Sequence, residues 1–188
     1  MEVYKSFFEE NRNIDINALQ LMSMGDITTL LGDPNPFLTQ IMSSLKQDGI
    51  HVENFMLDHI CYRVETQERY TRLKREMCKQ GKLLLETMIG GRPISTFRLD
   101  IPFIFQKHLI YCLELPSPKQ SSFYPEGYEH AEFVIPDSFD EFMRKHPRAT
   151  FNEKARGKKI NPDISINYGE HSVKFHHHSL AYVIEYLE

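Results

Sequence analysis

The chain has no tryptophan, and its 188 residues include only three cysteines, at positions 61, 78 and 112. Three scattered thiols cannot build the framework of a disulfide-stapled secreted domain, so reduced cysteines in a cytosolic setting are expected. Long apolar runs are missing too: no stretch approaches the ~20 residues needed to cross a bilayer. The opening Met1-Glu2-Val3-Tyr4-Lys5 lacks the basic and apolar regions of a signal peptide. Positive charge is not in excess. With 22 Lys and Arg against 26 Asp and Glu, the formal net charge is -4 and the pI about 6.1, which leaves no electrostatic footprint for nucleic acid. The expectation is a cytoplasmic protein with neither a membrane nor a nucleic acid as partner. Its hydrophobic share, 41 %, is enough for one substantial core or two small fused modules.

Residues 1–55 read as a helical extension. They show no strand alternation, and Phe37, Leu38, Ile41, Met42 and Leu45 recur at helical spacing. From residue 57 the pattern changes. A strand at about 57–64 leads to Thr66 as helix cap, with Tyr70, Leu73 and Met77 on one face and Gly81 as the stop. Residues 83–89 and 93–99 flank Gly90-Gly91 as a hairpin, and a strand at about 104–115 ends at Pro116. After a loop rich in Pro and Ser the order recurs: a strand at 128–135, a helix after Ser138, weaker strands near 149–154 and 163–167, an eighth strand at 172–176, and a closing helix carrying Leu180, Val183, Ile184 and Leu187. The domain reading is thus an extension (1–55) and a body (56–188) of two modules, about 57–116 and 127–188.

Four metal-type side chains, His59, Glu114, His130 and His176, fall on four of these strands. Each early histidine is followed by a second ligand-type residue after a long interval, from 59 to 114 and from 130 to 176. That order suggests two copies of one unit, each giving a pair of ligands to a shared cup. Residues two apart share a face of a strand, so His59, Cys61 and Arg63 lie together, as do Cys112 and Glu114, His130 and Glu132, and Lys174 and His176. His176 opens a His176-His177-His178 run, in which parity favours the first. Charges converging in a cup cost several kcal/mol unless they pair or bind a cation.

The strings Asp58-His59-Ile60, Met88-Ile89-x-Gly91-Arg92-Pro93-Ile94, Glu114-Leu115-Pro116, Glu129-His130-x-Glu132 and Val173-Lys174-Phe175-His176 together resemble the YecM family, within the vicinal oxygen chelate (glyoxalase-like) superfamily. The resemblance covers about 57–188 and implies an α+β fold, in which two βαβββ modules form a half-open, cup-shaped, mixed eight-stranded barrel. It implies metal ligands on the first, fourth, fifth and eighth strands, hence His59, Glu114, His130 and His176, the last departing from the superfamily's frequent glutamate. Three imidazoles and a carboxylate suit Zn, Ni, Fe(II) or Mn. The resemblance also implies a small-molecule ligand and isomerase, lyase or dioxygenase chemistry by chelation, but fixes no reaction.

Within that frame Glu114 or Glu132 is the candidate general base, and Arg63, Arg92 and Lys174 are candidates for capturing an anionic group. Cys61 and Cys112 read as buried fillers. Lys154, Arg156, Lys158 and Lys159 read as a solvated basic loop. A non-catalytic protein holding a metal or small anion is the alternative to an enzyme. Both modules lie on one chain, so a monomer can form a complete site.

Overall fold

The computed structural model describes residues 27–119 and 123–187. The first 26 positions of the expected helical extension lie outside the described residues. Within them, α1 (Ile27–Leu31) and α2 (Asn35–Gln47) are helical. Pro36 opens α2, where a missing N–H costs nothing. Phe37, Leu38, Ile41 and Leu45 form its buried face. Phe37 stacks on Tyr128 and meets the His171 ring edge-on, seating the helix against the sheet.

The body contains β1 (Met56–Arg63), α3 (Gln67–Met77), β2 (Gly81–Ile89), β3 (Arg92–Phe105) and β4 (His108–Pro116). It continues with β5 (Gly127–Val134), α4 (Phe139–Lys145), β6 (Phe151–Asn152), β7 (Asp163–Tyr168), β8 (His171–His176) and α5 (Leu180–Tyr186). All eight strands join one mixed sheet in the order β2-β3-β4-β1-β5-β8-β7-β6. Each module fills one half, and the antiparallel β1–β5 pair joins the two halves. This is an α+β fold of two modules that share one mixed eight-stranded sheet, as the recurrence of element order leads one to expect.

The helices start where side chains can cap them. Thr66, Ser138 and Ser179 each accept a hydrogen bond from the backbone N–H three residues on, beginning α3, α4 and α5. Tyr70, Leu73 and Met77 of α3 are buried, as are Phe139 and Phe142 of α4. In α5 only Val183 is buried, and Leu187 is exposed.

Two local expectations are corrected. The long strand expected from about 104 is two strands, because β3 runs to Phe105 and turns at Gln106-Lys107 before β4. Gln106 takes φ 53°, so the turn forms without glycine or proline to announce it. Gly81 does not stop α3, which ends at Met77. It begins β2, where a Cβ would lie 2.1 Å from the Arg98 carbonyl oxygen, so close strand approach demands glycine. The basic loop is tied into ion pairs, Arg156 with Asp140 and Glu153, and Lys158 with Asp163.

Candidate metal centre

The register of the sheet fixes which side chains can meet. His59 lies opposite Glu132, Ile60 opposite Ala131, and Cys61 opposite His130. A two-fold through the central pair therefore exchanges His59 with His130, and Cys61 with Glu132. β4 runs parallel to β1 with Glu114 beside Cys61, and β8 runs parallel to β5 with Lys174 beside Glu132. The same two-fold exchanges Glu114 with Lys174. His176 stands two residues farther along β8, beside Val134.

Both histidines are preceded by an acid, and at both places the β1–β5 ladder is irregular. Pairing passes from Leu57–Phe133 to His59–Glu132, skipping Asp58, and from Cys61–His130 to Tyr62–Tyr128, skipping Glu129. A bulge breaks the strict alternation of faces and re-aims a side chain. Asp58 Oδ2 thereby sits 2.8 Å from His59 Nδ1, and Glu129 Oε2 sits 2.7 Å from His130 Nδ1. These contacts assign the Nδ1 proton to the acid side, so that each ring, once its Nε2 proton is lost, presents the Nε2 lone pair to the cup. Asp58 also accepts from the Leu180 backbone N–H at 2.8 Å, which ties the orienting carboxylate to the start of α5.

Four donor atoms then converge. Glu132 Oε1 is 3.1 Å from His130 Nε2 and 3.3 Å from His59 Nε2, while Glu114 Oε2 is 3.5 Å and 3.8 Å from the same nitrogens. Candidate donor atoms of all four residues lie within 4.8 Å of one another. Ligands held about 2.0–2.2 Å from one ion stand roughly 3–4.4 Å apart, so this set fits a single cation. His59 Nε2 supports the fit independently: it is buried and has no hydrogen-bond partner. Two imidazoles and two carboxylates suit Zn, Fe(II), Mn or Ni.

The electrostatics are those of a buried, mutually dependent cluster. Burial disfavours charge on His59, but the carboxylates of Glu132, Asp58 and Glu114 outweigh it and hold the imidazole up at about 10. His130 is also raised well above its ordinary value, with Cys61 and Glu114 overcoming burial and the Lys174 charge. Burial would push Glu132 up, yet Lys174 and His59 hold it well below the usual carboxylate range. Burial pushes the Cys61 and Cys112 thiols up, which suits inert fillers.

The other residues singled out in the sequence take different places. His176 is fully buried. Its Nδ1 lies 2.5 Å from the His178 carbonyl oxygen, and its Nε2 is 3.6 Å from Asp58 Oδ2 and 3.8 Å from Glu132 Oε2. It falls in a separate group with Asp58 and His59 rather than with the four converging donors. Lys174 reaches into the cup, with Nζ 2.6 Å from Glu132 Oε1. Arg63 lays its guanidinium over the Tyr124 ring at 4.7 Å. Arg92 donates to Tyr124 Oη at 2.8 Å and to the Ser117 carbonyl at 2.7 Å, so both arginines brace the segment after β4. A cleft of about 420 Å³ lies beside the ends of β1 and β4, with Asp58, Cys112, His108, Lys107 and Tyr111 in its wall; none of the four converging residues lines it.

Asp58 and Glu129 are the residues that strand parity alone misses. Their signal in the sequence is an acid immediately before each histidine.

The chain is similar to known proteins over most of its length. The family model described as "YecM protein" matches residues 26–187. Protein YecM of Escherichia coli (strain K12) is 27 % identical over 86 % of this chain and 94 % of its own length. A solved structure described as structural-genomics protein EC4020 superposes with a TM-score of 0.69 at 26 % identity, covering 82 % of this chain and 89 % of that one. A methylmalonyl-CoA epimerase from Streptomyces coelicolor overlaps more loosely, with a TM-score of 0.47 at 12 % identity over 65 % of this chain and 96 % of its own.

Proposed function

The chain belongs to the YecM family, and from that premise we propose that it is a cytoplasmic protein that binds one divalent metal ion through His59, Glu114, His130 and Glu132. The convergence of the four donor atoms carries this reading. Asp58 and Glu129 orient the two imidazoles, and such carboxylate partners typically matter 10–100-fold to metal affinity. A bound ion would act as a Lewis acid for a small oxygenated metabolite, stabilising developing negative charge on oxygen. The remaining chemistry belongs to the chain. Glu114, with its side chain 15 % exposed against 9 % for Glu132, is the carboxylate better placed to move a proton on a ligand. An isomerase, lyase or dioxygenase reaction fits this arrangement.

Measuring metal content on tag-free protein tests the reading. His59→Ala and His130→Ala should each lower affinity by more than about tenfold, because each removes a direct ligand as well as the purpose of its oriented acid. Wild-type retention in both variants removes the assignment. Screening the loaded protein against hydroxy-acid, thioester and catechol substrates then separates an enzyme from a binder.

A further inference from the structure

Lys174 occupies the position that the two-fold makes equivalent to Glu114. One module thus presents a carboxylate to the cup where the other presents an ammonium. The ammonium does not point away. Nζ lies 2.6 Å from Glu132 Oε1 and 3.1 Å from His130 Nε2, two of the four donor atoms. His130 Nδ1 faces Glu129 at 2.7 Å, so the neutral ring, the form that ligates a metal, has one lone pair, on Nε2. That lone pair can accept from an ammonium or bind an ion, but not both. Glu132 could in principle serve two cations, yet two positive charges sharing one carboxylate oxygen in a buried site repel strongly.

We propose that Lys174 is a built-in competitor for the divalent ion, and that metal uptake requires its ammonium to leave His130 and Glu132. This rests on the metal-site reading above and adds to it a device that sets the site's affinity. The lysine has somewhere to go: its side chain is 28 % exposed, and its flexible four-carbon stem can carry the ammonium toward solvent. Strand parity alone makes Lys174 a candidate anion-binding group. Its contacts make it a rival cation first.

The test compares tag-free wild type, Lys174→Met, Lys174→Arg and Lys174→Glu, each titrated with Zn²⁺ and with Mn²⁺ by calorimetry. Lys174→Met should bind both ions about tenfold or more tighter than wild type, the scale on which neighbours of metal ligands act. Lys174→Glu, which puts a carboxylate at both two-fold positions, should bind tighter still, and Lys174→Arg should stay close to wild type. The Met change also strips Glu132 of its ammonium, so the Arg and Glu variants give a second comparison that preserves a charged partner or adds a ligand. Equal or weaker binding by both Lys174→Met and Lys174→Glu, with wild type still binding, overturns the competitor role alone. Folded proteins that all fail to bind either ion overturn the metal site itself.

Discussion

At the residue scale, the site depends on pairs rather than on isolated ligands. Asp58-His59 and Glu129-His130 repeat one motif in both modules, and each acid reaches its own neighbour's ring only because a bulge breaks the alternation of the strand. His59 and His130 are legible in the sequence because each comes early in its module; the repeat as read from the sequence pairs Glu114 with His176, whereas the register pairs it with Lys174. The choice between Glu132 and His176 is not legible. Both have the right parity, and separating them needs the β5–β8 register, which places Lys174 rather than His176 level with Glu132. The two candidates predict different outcomes. Glu132→Ala should abolish stoichiometric metal uptake, whereas His176→Ala should keep it and show its cost mainly as a lower melting temperature, read by elemental analysis and thermal denaturation.

A second residue-scale prediction concerns acid. Glu86 accepts from Tyr70 Oη at 2.7 Å and from Ser95 Oγ at 2.8 Å, and it pairs with Lys74. Lys74, Tyr70 and Ser95 together hold its carboxyl down at about 2, against an ordinary 4.5. A lowered folded-state value stabilises above the ordinary one, and that stability is lost as pH falls through the folded value. Melting temperature should therefore fall more steeply in wild type than in Glu86→Gln between about pH 4.5 and 2. Parallel curves for the two proteins would show that the network contributes nothing.

At the scale of elements, helices are easier to read than strand ends. Thr66 and Ser138 announce α3 and α4, and the buried stripe Tyr70, Leu73 and Met77 comes from helical period alone. The β3–β4 hairpin is not legible, since Gln106-Lys107 carries no turn chemistry and the apolar run Ile101 to Phe105 reads as continuous with Leu109 and Ile110. Gly81 is visible but reads as a helix stop, because its requirement comes from another strand. Gly81→Ala should destabilise by about 1–3 kcal/mol, as overpacking typically does, since its Cβ would collide with backbone that cannot swing aside. Chemical denaturation measures this, and a stability unchanged from wild type would mean that β2 and β3 separate freely.

At the scale of the whole molecule, the two-module plan explains why so few residues suffice. One two-fold through Ile60 and Ala131 generates the paired histidines, the paired orienting acids and the Glu114–Lys174 mismatch. The plan is legible as a recurrence of element order and as a family resemblance. The mismatch is not, because it exists only in the register of the assembled sheet. The same assembly buries the polar face: His59, His130, Glu132 and His176 are all under 9 % exposed, so the cup is a lined interior rather than a solvated sheet surface. The hydrophobic core lies on the other face, where Phe97, Phe133 and Phe175 of the strands and Phe142 of α4 are fully buried. Among the described residues no helix is long and apolar enough to cross a membrane.

The most direct test is an anomalous-difference map from crystals of tag-free protein grown with Zn²⁺. The account predicts one strong peak in the cup, bonded to His59 Nε2, His130 Nε2, Glu114 and Glu132, with the Lys174 ammonium displaced from His130. A cup without a peak while zinc sits elsewhere, for instance on His177 and His178, would contradict it.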